Sequence, residues 1–206
     1  MIKNIIFDLA GVVLNLNLER DTRELNNVGL PDFEGCLKKP GIMSALVPYI
    51  NGLSSPEEFL KAIRPYCSED VKDEDIFWSM DAVLDDIPRE RLEMLVELRK
   101  HYKVYLLSNL YPSAWAHTLK QFEKNGFTTE QCFDKIFLSY EMQLAKPDPR
   151  IFQQVFDETG IDPDETVYFD DTRENIVAGN AMGLHSYLVE MNQLEKCCEV
   201  LSPLTL

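Results

Sequence analysis

Five short apolar runs place the tightest constraint on how this chain can fold. Residues 3–8 (KNIIFD), 103–108 (KVYLLS), 134–138 (DKIFL), 166–170 (TVYFD) and 184–189 (LHSYLV) are rich in β-branched, leucine and aromatic residues and end in polar ones. That is the pattern of short buried strands. From residue 90 onward these runs alternate with helical patterns. ERLEMLVELRKHY (90–102) brings Leu92, Leu95, Val96 and Leu98 near one face and carries basic residues at its C-terminal end, where they complement the helix dipole. PRIFQQVFDETG (149–160) opens on proline and closes on Gly160, and TRENIVAGNAMG (172–183) also closes on glycine, the usual asymmetry of helix ends. Alternating strand and helix predicts an α/β fold: a doubly wound, Rossmann-like parallel sheet with right-handed crossovers.

Residues 15–87 break this alternation and contain no convincing strand. SSPEEFLKAI (54–63) carries a helix start, with Ser55 as N-cap, Pro56 at the first position and Glu57 and Glu58 in the first turn. DEDIFWSMDAVL (73–84) predicts a second helix bearing Phe77 and Trp78. The chain therefore divides into a core of residues 1–14 and 88–206 and a helical insert over 15–87, with Pro88 as the return point. At 206 residues it is long enough for a domain of this kind with an insert.

Charge narrows the partners. Twenty Lys and Arg against 35 Asp and Glu give a net charge of −15, which disfavours nucleic acid and anionic membranes. No apolar run approaches the ~20 residues of a membrane span, and the first is broken at once by Asp8, so neither membrane nor export is predicted and the expected location is the cytoplasm. The five cysteines (Cys36, Cys67, Cys132, Cys197, Cys198) form no CxxC pair and read as reduced thiols. His101, His117 and His185 are far apart and fit no ligand motif.

In open parallel sheets the active site lies beyond the carboxyl ends of the strands. Asp8 ends the first strand, Ser108 and Asn109 the second, and Asp170 and Asp171 a later one, while Lys146 in LAKPDP follows the 134–138 run closely. Each alone reads as a helix cap, a turn or a solvated loop residue. Together they suit phosphoryl chemistry. A carboxylate can attack phosphorus, a hydroxyl and amides can hold phosphoryl oxygens, and a lysine can neutralise charge. Further carboxylates can recruit Mg²⁺, a hard ion that prefers oxygen ligands. The natural substrate would be a small phosphorylated metabolite.

FDLAGVV, LLSN, LAKPDPRIF and FDDTRENIVAGNAMG together resemble, in order and separation, the four motifs of the haloacid dehalogenase-like hydrolases. The resemblance is to the branch with a helical cap after the first strand. Within it the chain is similar to sugar-phosphate phosphatases and to the phosphatase domain of soluble epoxide hydrolases. It implies Asp8 as nucleophile and Mg²⁺ ligand, and the Ala10 backbone carbonyl as a second ligand. Ser108 and the Asn109 backbone would bind phosphate, Lys146 would pair with Asp8 and phosphate, and Asp171 would be a side-chain metal ligand. Asp170 and Asn175 would support the metal site. Asn175 also reads as an ordinary helix-surface residue, and Phe77, Trp78 and Tyr111 as substrate-pocket lining or cap core. One position departs from the pattern. Most phosphatases of the family carry a second acid two residues after the nucleophile, and here that position is Ala10. Three functions are compatible with this: a phosphatase that moves the proton differently, a 2-haloacid dehalogenase, or a phospho-ligand-binding protein with impaired turnover.

Overall fold

A computed structural model describes residues 1–197; Cys198, read above as a reduced thiol, lies outside them. Five parallel strands form one sheet in the order β3-β2-β1-β4-β5. They are β1 (Asn4–Phe7), β2 (Lys103–Ser108), β3 (Lys135–Leu138), β4 (Thr166–Asp170) and β5 (His185–Leu188). The strand order reverses at β1, which is flanked by β2 and β4, in register from Asn4 opposite Lys103 and Thr166. A crevice therefore opens at the carboxyl ends of these three strands.

Period-two alternation sorts the strand residues between two cores. Ile5, Phe7, Val104, Leu106, Val167 and Phe169 face one side, and Ile6, Tyr105, Leu107 and Tyr168 the other. Helix α6 (Arg89–Leu98) lays Leu92, Leu95 and Leu98 against the first face, while α10 (Pro149–Thr159) lays Ile151, Phe152 and Val155 against the second. The remaining core helices are α7 (Pro112–Lys124), α8 (Thr129–Cys132), α9 (Ser139–Met142) and α11 (Arg173–Ala181). Helix α10 ends as its sequence predicts, with Gly160 in the left-handed region at φ +70°. Helix α6 stops at Leu98, four residues before the sequence pattern does, because the chain must turn to enter β2 at Lys103.

Between β1 and α6 lie α1 (Leu18–Asn27), α2 (Phe33–Leu37), α3 (Pro40–Ile50), α4 (Pro56–Ile63) and α5 (Asp73–Asp81). Ser55 caps α4 in a reciprocal capping box with Glu58. Six helices escape the periodicity argument: α2, α8 and α9 are too short, at four or five residues, to show a helical period, and three longer ones each have a local reason. Helix α1 buries Asp21 beside Leu25, α3 contains Gly41 and Pro48, and α7 buries Ala114, Thr118 and Phe122, so a polar residue or a breaker interrupts each apolar stripe. Tyr49, Phe59, Phe77 and Tyr111 form one aromatic cluster among these elements, so Phe77 and Tyr111 are packing residues. Trp78 is 44% exposed and lines a shallow surface depression with Glu24, Asn27, Val28, Val71 and Asp75.

The segments that lead into and out of α1–α5 pair with each other. Asn15 N–H donates to Asp86 O, Asp85 N–H to Asn15 O and Asn17 N–H to Val83 O. No helix among the described residues is long and apolar enough to cross a membrane. Cys36, Cys67 and Cys132 carry no disulfide. His101 and His185 are exposed and His117 is half-buried.

Candidate active site

Asp8 follows directly on the fully buried Ile5–Phe7, and its N–H still donates to Phe169 O at 2.8 Å. The nucleophile candidate is thus fixed by the sheet itself. The chain then turns at Gly11, which adopts φ +78°, a conformation with little cost only for glycine. Space demands glycine as well, because a Cβ here would lie 2.2 Å from Asp171 Oδ2. The turn closes through Gly11 N–H to Leu14 O and Leu14 N–H to Leu9 O.

Lys146 is the centre of the charge arrangement. It is 4% exposed, and its Nζ lies 2.9 Å from Asp8 Oδ1, 2.7 Å from Asp170 Oδ2 and 2.8 Å from Leu107 O. Burial alone would lower its pKa, yet the two carboxylates beside it carry it above the ordinary lysine value. Asp170 is likewise penalised by burial but is held below its ordinary value by Lys146, the Tyr168 hydroxyl and the Thr172 N–H. Its oxygens also accept both close contacts of Asn175 Nδ2, at 3.0 and 3.1 Å. Asn175 is therefore buried and engaged rather than on the helix surface. Asp170 also accepts from Thr172 N–H at 2.8 Å, at the residue that precedes α11.

Asp8 behaves differently. Burial pushes its carboxyl up to about 7 against the pull of Lys146, and Asp170 and Asp171 add to the rise. With all three carboxylates ionised, the one ammonium leaves an excess of two negative charges, which is what raises the Asp8 and Asp171 carboxyls in the absence of a cation beyond the effect of burial. Carboxylate oxygens of Asp8, Asp170 and Asp171 all lie within 4.8 Å of one another. Asp8 Oδ1 already accepts from Leu9 N–H at 2.7 Å and from Lys146.

The backbone supplies a third oxygen. From Leu9 to Asn17 every carbonyl accepts a hydrogen bond from a described residue except that of Ala10. An excess of two negative charges, a free carbonyl and nearby hard oxygens are what a divalent cation of the Mg²⁺ type requires. The residues present fit that ion, with Asp8, Asp171 and Ala10 O as holders and Asp170 saturated by its own partners.

Next to this cluster, β2 ends at Ser108, which is 1% exposed and whose Oγ has no hydrogen-bond partner. A buried hydroxyl without a partner costs free energy unless a ligand completes it. The Asn109 side chain is committed elsewhere. Its Nδ2 donates to Lys146 O and its Oδ1 accepts from Lys146 N–H, both at 2.8 Å. Only its backbone is left for a ligand.

Three residues of the site's surroundings escape sequence reasoning. Tyr168, two positions before Asp170 and so on the same face of β4, donates its hydroxyl to Asp170 Oδ2. Ser139 Oγ accepts from Leu110 N–H at 2.9 Å and reaches Ile50 O at 2.7 Å, joining the β2–α7 loop to the end of α3. Arg91 is 3% exposed and holds carbonyls of the Gly11 turn. Its signal was present, because it shares a helical face with Leu95 and Leu98 and an arginine there must find partners.

Known proteins place this geometry. Residues 2–183 match the haloacid dehalogenase-like hydrolase family. The chain is 30% identical over 192 residues to D-ribitol-5-phosphate phosphatase of Bacteroides thetaiotaomicron, covering 92% of this chain and 93% of that protein. A HAD family enzyme of the same organism, solved in complex with magnesium and inorganic phosphate, superposes with a TM-score of 0.83 at 36% identity, covering 94% and 96% of the two chains. A predicted HAD-like hydrolase of Porphyromonas gingivalis superposes with a TM-score of 0.86 at 29% identity, covering 98% of both. The motifs, the sheet order and these matches agree that the chain belongs to the haloacid dehalogenase-like hydrolases.

Proposed function

We propose that the protein is a Mg²⁺-dependent phosphomonoester hydrolase that acts on a small phosphorylated sugar or sugar alcohol through an aspartyl-phosphate at Asp8. The observation that carries this reading is Lys146 lying between Asp8 and Asp170 beside the unpartnered hydroxyl of Ser108. A carboxylate suited to attack phosphorus, a cation and an open hydroxyl stand together there, which supports this reading.

The chemistry follows from these groups. A carboxylate oxygen of Asp8 attacks phosphorus, and the bond from phosphorus to the ester oxygen breaks. The Ser108 hydroxyl holds a phosphoryl oxygen, the Lys146 ammonium offsets charge on Asp8 and on the phosphoryl group beside it, and the Asn109 clasp fixes the backbone of Lys146. The departing oxygen takes a proton from water, since Ala10 offers none. A second water then attacks phosphorus and gives its proton to the hydroxide left by the first, while the bond from phosphorus to the Asp8 oxygen breaks, releasing inorganic phosphate and restoring the Asp8 carboxylate. Bound Mg²⁺ would neutralise charge between Asp8 and the phosphoryl group. Phosphoryl transfer depends mainly on such positioning and charge stabilisation. Helices α1–α5 would act as a cap over the strand ends, joined to the core by the paired segments at residues 15–17 and 83–86 and by Ser139.

The substrate class is supported by the similarity to a ribitol-5-phosphate phosphatase. A phosphate-release assay over a panel of sugar and polyol phosphates, with and without Mg²⁺, tests the reading. Release that needs Mg²⁺ and vanishes in Asp8→Asn is expected. Release that persists in Asp8→Asn, or metal-independent chloride release from 2-chloropropionate in place of phosphate release, overturns it.

A further inference from the structure

One guanidinium organises the turn that follows the nucleophile. Arg91 Nη1 donates to Val12 O at 2.8 Å, to Val13 O at 3.2 Å and to Asn15 Oδ1 at 3.0 Å. Its Nη2 donates to Asn192 O at 2.8 Å, and Glu195 takes Nε at 2.6 Å and Nη2 at 3.2 Å. Asn192 continues the network. Its N–H donates to Gly11 O at 2.7 Å, and its side-chain amide exchanges two bonds with the backbone of Leu16, at 2.7 and 2.9 Å. Asn192 does this from the left-handed region, at φ +63°, which asparagine tolerates better than most residues.

The result is selective. Arg91 and Asn192 take the carbonyls of Gly11, Val12, Val13 and Leu16, and the turn's own N–H groups take those of Leu9 and Leu14. Among the carbonyls of residues 9–17, Ala10 O alone accepts no hydrogen bond from a described residue, and it lies one residue from the glycine packed against Asp171. An arginine is suited to this task because its planar fork serves several acceptors at once in fixed directions. Burying its charge would cost free energy without such partners.

We infer that Arg91 and Asn192 are positioning residues for the cation. They hold the 11–16 segment in a shape that occupies the neighbouring carbonyls and leaves that of Ala10 free for an ion held by Asp8 and Asp171. The inference rests on the Mg²⁺ site proposed above. Partners that orient metal ligands typically account for about 10- to 100-fold in metal affinity.

The test is calorimetric titration of Mg²⁺ into the intact protein without substrate, compared among wild type, Arg91→Lys and Asn192→Gly. Thermal denaturation in EDTA checks that each is folded. Arg91→Lys keeps the charge but cannot serve the same acceptors. Asn192→Gly keeps the left-handed backbone and its bonds to Gly11 and Arg91, and loses only the Leu16 pair. Arg91→Lys should weaken Mg²⁺ binding about 10- to 100-fold and Asn192→Gly by a smaller factor. In Arg91→Lys, saturating Mg²⁺ should restore most of kcat, which marks an affinity defect rather than general loss of structure. Should Arg91→Lys fail to fold, Asn192→Gly carries the comparison. Unchanged Mg²⁺ affinity in the folded variants, or a wild type that binds no Mg²⁺, overturns the inference. A wild type that binds Mg²⁺, with variants that bind it less well, but that releases no phosphate from any ester leaves the positioning role standing and removes the hydrolase reading instead.

Discussion

The side-chain amide of Asn109 and the backbone of Lys146 exchange two hydrogen bonds of 2.8 Å. This clasp joins the end of β2 to the loop that delivers the buried ammonium. It makes Asn109 a positioning residue for Lys146, quite apart from what its backbone binds.

Asn109→Ala should lower kcat for phosphate release by about 10- to 100-fold, the scale expected when a catalytic group shifts by a fraction of its productive geometry. Asn109→Asp should fall in the same direction, because a carboxylate can accept from Lys146 N–H but offers Lys146 O no donor. Steady-state kinetics on both variants, with circular dichroism to verify folding, checks this.

Mg²⁺ should stabilise the fold, because it relieves the two uncompensated charges of the site. At a concentration 100 times its Kd, one bound ion contributes about 2.7 kcal/mol. For a chain of this size that is roughly a 5–10 °C rise in Tm. The rise should vanish in EDTA and be largely lost in Asp171→Asn. Differential scanning calorimetry in each condition measures it.

The leaving-group dependence should be steep. Ala10 has no proton to give, and general acid catalysis is worth roughly 10²–10⁴ in rate, or about 3–5 kcal/mol. p-Nitrophenyl phosphate, whose phenolate departs unaided, should be turned over much faster than an alkyl phosphate. Ala10→Asp should narrow the gap by accelerating the alkyl ester. Equal kcat for both esters in the wild type would mean that another group supplies the proton.

Asp21 offers a pH test outside the catalytic site. Burial, with Asp32 nearby, pushes its carboxyl from 3.8 up to about 6. The folded state therefore binds the proton more tightly than the unfolded state does. Stability should fall as pH rises from about 4 through 6, and the penalty should stay constant above that. Asp21→Asn removes the titration, so it should be more stable than wild type at pH 8 by about 3 kcal/mol. The two should converge below pH 4. Urea denaturation of both proteins across this range reads the difference.

Much of the core was legible in the chain because its signals are local. The alternation of IIF, VYLL and VYF with amphipathic segments defines strands and helices without reference to anything distant, and the Ser55 capping box and the closing Gly160 mark helix ends within a single turn. Residues 15–87 were less legible. Helix α3 carries Pro48 and α1 buries Asp21, so their apolar faces are incomplete in sequence and are completed by neighbours. Arg91 and Tyr168 were missed for a related reason, since a polar residue on an apolar face announces a partner without saying which one.

The sequence by itself determined the residue types that stand at the carboxyl ends of the strands, among them Asp8, Ser108 and Asp170, because strand periodicity and the polar residue that ends each run are written in adjacent positions. Tertiary structure decided how those groups share their bonds. It set Lys146 between Asp8 and Asp170, turned the Asn109 side chain to hold Lys146, left Ser108 Oγ unpartnered, and took up every carbonyl around Ala10 but its own. Hydrogen-bond partners are chosen by proximity in space, and only the assembled parallel sheet brings segments from opposite ends of the chain within reach of one another.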